Sequence, residues 1–123
     1  MKFTLEGNPN VNLIRSYSEE EIRVGEHAIR SSFLVSADAL VTQWPPATFD
    51  ELQVSHLEAV FELRPELVLL GTGTHHRFAP SQIRAAFGSR GVGVEAMDLG
   101  AACRTFNILV HEERRVVAAL FLK

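Results

Sequence analysis

The residues of this chain best suited to chemistry gather at two places. One is Gly71-Thr-Gly-Thr74, which runs on into His75-His76-Arg77; the other is Asp98, which opens a segment carrying Gly100, Cys103, Arg104 and Asn107. A glycine-rich turn exposes backbone N–H groups, and a helix N-terminus adds unpaired N–H groups at the positive end of a dipole, so together they suit an anion. Gly-Thr-Gly-Thr is not a dinucleotide fingerprint, because the third glycine is missing and Pro80 lies nine residues past Gly71. It also lacks the lysine of a P-loop. Tight turns and close packing call for the same glycines. The candidate ligand or partner crevice therefore has Gly71, Thr72, Gly73, Thr74 and His75 on one side and Asp98, Gly100, Arg104 and Asn107 on the other, with no catalytic residue assigned.

Several of these residues have plainer readings. His75 and His76 are adjacent, and neighbours in an extended segment face opposite ways, so they read as a solvated pair and no metal site is assigned. Cys103 falls on the apolar side of its segment and reads as core, since a reactive thiol needs exposure and an electropositive surround. Asp98 reads as a helix cap and Glu66 as a surface residue. Arg104 and Asn107, three apart, lie on the polar side of the same helix, facing the crevice or water.

Positioning these groups is the work of alternating strands and helices. A strand at Leu67–Leu70 feeds the glycine turn; Pro80, at a first helical position, opens a helix through Ile83, Ala86 and Phe87 that Gly88 stops. Val92–Ala96 is the next strand, and Asp98 caps a helix whose Leu99, Ala102, Cys103, Phe106, Leu109 and Val110 share one face. Arg115–Leu122 is the last strand. Strands separated by single helices imply βαβ units, and if the strands at 67–70 and 92–96 are parallel neighbours, their carboxyl ends bring the two halves of the crevice together. Before Pro45-Pro46 the text is β-rich, with short strands at Asn12–Tyr17, Glu21–Gly25, His27–Ser31, Ser32–Ser36 and Ala39–Trp44. Between the proline pair and Pro65, apolar residues such as Leu52, Leu57, Val60 and Phe61 recur at helical spacing, with Thr48 or Asp50 as N-cap. Trp44 reads as a plug at one end of the sheet, or alternatively as an exposed partner anchor.

Composition bounds the class. With 123 residues, 46% hydrophobic and 22% charged, the chain is expected to form one domain over 1–123 that buries roughly two thirds of its unfolded surface. No apolar run approaches the ~20 residues of a membrane-spanning helix, and Met-Lys-Phe-Thr-Leu-Glu at the start lacks a signal-peptide core, so the expected setting is cytoplasmic. One cysteine allows neither an intrachain disulfide nor a multi-cysteine zinc site, and no cofactor is implied. A net charge of −3 argues against nucleic acid as the main partner. The charge is uneven: residues 1–62 hold four basic and ten acidic groups, residues 63–123 eight basic and five acidic.

Pro65-Glu66, the 67–70 strand with Gly71-Thr-Gly73, and Met97-Asp-Leu-Gly-Ala-Ala-Cys-Arg-Thr-Phe-Asn-Ile-Leu109 together resemble a widespread family of small domains of unknown function. That family includes mitochondrial NADH dehydrogenase (respiratory complex I) assembly factor 3 and an animal relative named for adipogenesis. The resemblance covers most of the chain, including Ile29, Trp44 and the final Val116-Val-Ala-Ala-Leu120. It implies a three-layer α/β/α domain with a mixed, partly parallel sheet and a β-rich N-terminal elaboration. The chain departs from the family where Leu99 replaces the threonine of Met-Asp-Thr, where Phe106 replaces tyrosine, and where Glu112-Glu-Arg-Arg115 stands for a Glu-Gly-Arg-like turn.

Two functions follow. The first is a non-enzymatic protein-binding or assembly-factor-like module, suggested by the resemblance and permitted by the missing hydroxyls. The second is an enzyme or binding protein that holds a small anionic ligand at Gly71–Thr74 with Arg104. The sequence leans to the first and away from catalysis.

Overall fold

A computed structural model describes residues 10–123; the Met1–Glu6 stretch read above for a signal peptide lies outside them. In chain order the strands are β1 (Ile14–Tyr17), β2 (Ile22–Val24), β3 (His27–Ile29), β4 (Phe33–Ser36) and β5 (Leu40–Val41). Then come α1 (Leu57–Phe61), β6 (Leu67–Thr72), α2 (Ser81–Ser89), β7 (Gly93–Met97), α3 (Leu99–His111) and β8 (Val116–Phe121). No helix among the described residues is long and apolar enough to cross a membrane.

Near-continuous apolar runs suit strands covered on both faces. β8, Val-Val-Ala-Ala-Leu-Phe, is buried throughout, and β6 is buried from Val68 onward. They lie side by side in a five-stranded sheet of order β5-β4-β8-β6-β7. β6 runs parallel to both β8 and β7, whereas β4 is antiparallel to β8 and to β5. β1, β2 and β3 form a separate antiparallel meander.

The period-two alternation of strand side chains then divides the interior in two. Val116, Ala118, Leu120 and Leu122 join one core with the apolar face of α3 and with Ile14, Ile22, Val24 and Ile29 of the meander. Val117, Ala119 and Phe121 join the other, with Ile83 and Phe87 of α2, Leu57 and Val60 of α1, and Trp44. Helices therefore cover both faces, and the three-layer arrangement with a β-rich N-terminal part is the one expected. The chain steps from β6 to β7 over the α2 face, then back past β6 to β8 over the α3 face. Reversing direction and face together keeps a single hand for both crossovers.

Local expectations fare unevenly. The helix expected between Thr48 and Pro65 is broken into 3₁₀ turns at Phe49–Glu51 and Val54–His56, with only Leu57–Phe61 α-helical. Leu52 and Gln53 are extended, which lets Phe49, Leu52 and Leu57 all point into the second core, and the Gln53 N–H donates to His56 Nδ1 across the second turn at 3.0 Å. Thr48 stands at the N-cap of the first 3₁₀ turn but makes no side-chain cap bond, and Asp50 lies inside that turn. Pro80 is the N-cap of α2 instead of its first residue, and the helix runs through Gly88 to end ahead of Gly91, whose φ is +69°. Of the Ala39–Trp44 strand only Leu40–Val41 pairs. Trp44 is buried as a plug: its indole N–H donates to His56 O at 3.1 Å and its ring lies 5.4 Å from that of Phe121.

α3 ends in a Schellman-type turn. Glu113 N–H donates to Val110 O at 2.9 Å and Arg114 N–H to Leu109 O at 3.0 Å, with Glu113 at φ 64°, in the left-handed region. A side chain there is strained relative to glycine. Glu113→Gly is therefore expected to raise the unfolding free energy by about 0.5–1 kcal/mol in a urea titration.

Candidate functional site

The loops leaving β6 and β7 diverge to opposite faces of the sheet, as the crevice reading requires, and the turn after Thr72 does meet the N-terminus of α3. What lies between them is closed by the chain itself. Leu99 N–H donates to Gly73 O at 2.7 Å, and Asp98 caps α3 by accepting the Ala101 N–H at 2.9 Å. In the first turn of α3 this leaves only Gly100 N–H without an assigned acceptor. Thr72, buried in the sheet, places its hydroxyl 2.6 Å from His75 O and 3.3 Å from Met97 O, and it accepts the Arg77 N–H at 3.1 Å. Thr72 thus folds the glycine turn back on β6.

The glycines are fitted to close approach. A Cβ on Gly71 would stand 2.8 Å from Leu120 Cδ2 and 3.1 Å from Ala102 Cβ, so the missing side chain lets α3 settle on β6. Gly73 has φ +95°, and a Cβ there would come within 2.4 Å of the Lys123 backbone. Thr74 and His75 are exposed at the rim.

Gly100 and Arg104 lie further along α3, beside the meander. Arg104 Nη1 donates to the Tyr17 hydroxyl at 2.6 Å, and Gly100 leaves space under that pair, since a Cβ would sit 3.0 Å from Tyr17 Oη and 3.1 Å from Arg104 Nη1. No carboxylate pairs with Arg104 among the described residues. Asn107, more than two turns past Asp98, stands apart from the crevice. Its amide accepts Ile14 N–H at 2.9 Å and donates to Ile14 O at 2.8 Å, fastening β1 to α3. Cys103 is buried, and loss of solvent pushes its thiol up to about 12 against a smaller opposing pull from Arg104.

Concave surface lies elsewhere. A cavity of about 650 Å³ sits at the opposite end of the sheet, where Arg64, His111, Glu113 and Arg115 surround the C-terminus of α3. Nearby, the Arg115 N–H and the Arg114 side chain hold the Glu66 carboxyl below its ordinary range, so Arg114 is not a free cation. A second cavity, about 320 Å³, lies beside His76, Phe78, Ala79, Arg84, Val94 and Ala96. None of the nine crevice residues lines either one. Among the described residues no three His, Cys, Asp or Glu side chains converge as a metal-holding group.

Sequence reading passed over Tyr17 and Phe78. Nothing local ties Tyr17 to Arg104, 87 residues away. Phe78 did carry a signal, as a large apolar residue in a polar, non-periodic loop ahead of Pro80; it is 83% exposed.

A family described as protein of unknown function (DUF498/DUF598) matches residues 14–121. The chain belongs to that family. Within it, NADH dehydrogenase (ubiquinone) 1 alpha subcomplex assembly factor 3 of Danio rerio is 30% identical over 110 residues, 88% of this chain. The chain spans 63% of the length of that relative. A crystal structure of a Bordetella parapertussis protein superposes with a TM-score of 0.85 at 33% identity, covering 92% of this chain and 97% of that one. The solution structure of a Bordetella pertussis protein described as a Mth938-like domain gives a TM-score of 0.83 at 28% identity, with 98% and 92% covered. The DUF498/DUF598 fold thus spans nearly all of this chain.

Two outcomes follow from this geometry. Gly73→Ala should lower stability by about 2 kcal/mol or more in chemical denaturation, because it combines a disfavoured φ with a backbone clash. The thiol of Cys103 is raised on folding, so its contribution is full below the unfolded value near 9 and is lost as pH rises toward 12. Unfolding free energy between pH 9 and 12 should accordingly fall less steeply in Cys103→Ala than in the wild type.

Proposed function

We propose that this chain is a non-enzymatic protein-binding module of the assembly-factor kind, which holds partner proteins and turns over no substrate. The observation that carries the reading is the kinship with assembly factor 3 along 88% of the chain. A role in building a respiratory complex enters on that kinship alone. The internal pairing of the crevice supports the same reading, because Gly73 O, Thr72 Oγ1 and the Asp98 carboxylate already have partners within the chain. The reading keeps the cytoplasmic setting expected from the sequence and invokes no nucleic acid.

One observation favours a small anionic ligand instead. Arg104 reaches the surface near the start of α3 with a phenol as its hydrogen-bond partner and no carboxylate. The two readings separate in one experiment: affinity purification of tagged wild type beside Arg104→Ala from native extract, with proteins and small molecules both identified by mass spectrometry. The expected outcome is a protein in fixed stoichiometry with both forms. An anionic metabolite retained by the wild type and lost from Arg104→Ala, with no protein partner, would replace the first reading by the second.

A further inference from the structure

We propose that the open edge of β7 receives an extended segment of a partner protein as a sixth, parallel strand, with Phe78 and Arg84 reading its side chains. β7 is one of the two edge strands of the sheet, at the end of its parallel part, with β5 at the other edge. Gly93 N–H donates inward to Glu66 O at 3.1 Å, so by strand alternation Gly93, Glu95 and Met97 turn their backbone groups to β6 and Val94 and Ala96 turn theirs outward. His76 confirms the direction, for its Nε2 lies 3.2 Å from Ala96 O, a bond in which Nε2 must carry the proton. The Val94 N–H, the Val94 C=O and the Ala96 N–H remain facing out. Natural proteins cover or charge such edges, and among the described residues only one of the four outward groups is covered.

Next to this edge lies the 320 Å³ cavity, which Val94, Ala96, Ala79 and Phe78 make apolar. Phe78 stands against the His76 ring at 4.8 Å and is 83% exposed. Arg84 donates through Nε to Ala79 O at 3.1 Å, and no carboxylate among the described residues pairs with it. An apolar wall, a guanidinium with no carboxylate partner and a row of backbone groups unpaired among the described residues are the parts of a strand-addition site, in which main-chain bonds hold an extended peptide and alternate side chains are read by a pocket.

The free groups select the occupant. In a parallel added strand one residue donates to Val94 O and accepts from Ala96 N–H, while the residue two before it accepts from Val94 N–H. All three groups are then used and Ala96 O stays with His76. An antiparallel strand opposite Ala96 needs both of that residue's groups and has to displace His76. A second copy of this chain meets the same obstacle, because two β7 edges related by a two-fold axis are antiparallel. The register that uses Val94 and Ala96 of both copies also sets Glu95 opposite itself, a like-charge pair. The partner segment is therefore a different sequence. It is extended, apolar at alternate positions facing Phe78, basic between them beside Glu95, and acidic where it reaches Arg84.

This proposal rests on the protein-binding reading, yet it is testable without a known partner. Random linear peptides displayed on phage are selected on the full chain and counter-selected on Phe78→Ser, which changes only an exposed side chain. Selected peptides should show the alternating apolar pattern and slow amide exchange at Val94 and Ala96. They should bind Phe78→Ser and Ala96→Pro at least about tenfold more weakly, the loss expected of a hot-spot residue. Ala96→Pro removes an N–H that no ladder bond uses, as an edge strand tolerates. Failure to select any peptide that prefers the wild type, or selection of peptides indifferent to Ala96→Pro, overturns the proposal. A stoichiometric partner from extract that binds both variants as tightly as the wild type also removes the β7 edge, while leaving the protein-binding reading in place.

Discussion

The structure depends on one constraint: β6 is buried on both faces and hydrogen-bonded along both edges. Nothing in such a strand can be left over. Its side chains have to divide between two apolar cores, and its parallel partners β7 and β8 have to lie in register with it, Leu67 beside both Gly93 and Val116. Gly71 is the point of tightest fit, where α3 and Leu120 come too close for any side chain. Thr72 is the one hydroxyl carried into this environment, and a buried hydroxyl without partners is costly. It finds its partners in the loop that follows, so the demand of the core determines the shape of the turn.

That dependence changes how the glycine-rich turn is understood. In many open α/β sheets the carboxyl ends of the strands leave N–H groups and space for a ligand. Here the same elements consume one another: Gly73 O takes Leu99 N–H, Asp98 takes Ala101 N–H, and the Lys123 backbone lies where a Gly73 side chain would. The unmet bonding capacity is displaced to the side of the sheet, at β7, which has a strand on one side only and is the most exposed strand of the five-stranded sheet. On the protein-binding reading proposed above, an internally satisfied centre presents this edge without having to rearrange.

Charge follows the same logic. The acidic first half and basic second half meet in Arg77 with Asp50 and Arg90 with Glu58, both exposed pairs of the kind worth little to stability. The guanidinium groups of Arg64, Arg84, Arg104 and Arg115 form no ion pair with a carboxylate among the described residues. The positive excess is thus divided among Arg64 and Arg115 beside the starts of β6 and β8, Arg84 on α2 and Arg104 on α3.

By itself the sequence determined the strand–helix alternation from Leu67 onward, the burial of Cys103, the cap at Asp98 and the partly parallel sheet. These are properties of periodicity, capping and apolar content that each segment carries locally. The helix between Thr48 and Pro65 formed only at Leu57–Phe61, because the second core draws Phe49, Leu52 and Leu57 inward, a demand that no local spacing encodes. Likewise Asn107 and Arg104 sit three residues apart on one helix face, but the first is taken by Ile14 and the second by Tyr17, about ninety residues upstream. Which strand became the open edge was a matter of topology, since β6, β7 and β8 look equally strand-like as text. Only the order in which tertiary packing laid them side by side decided whose backbone groups would be left facing solvent.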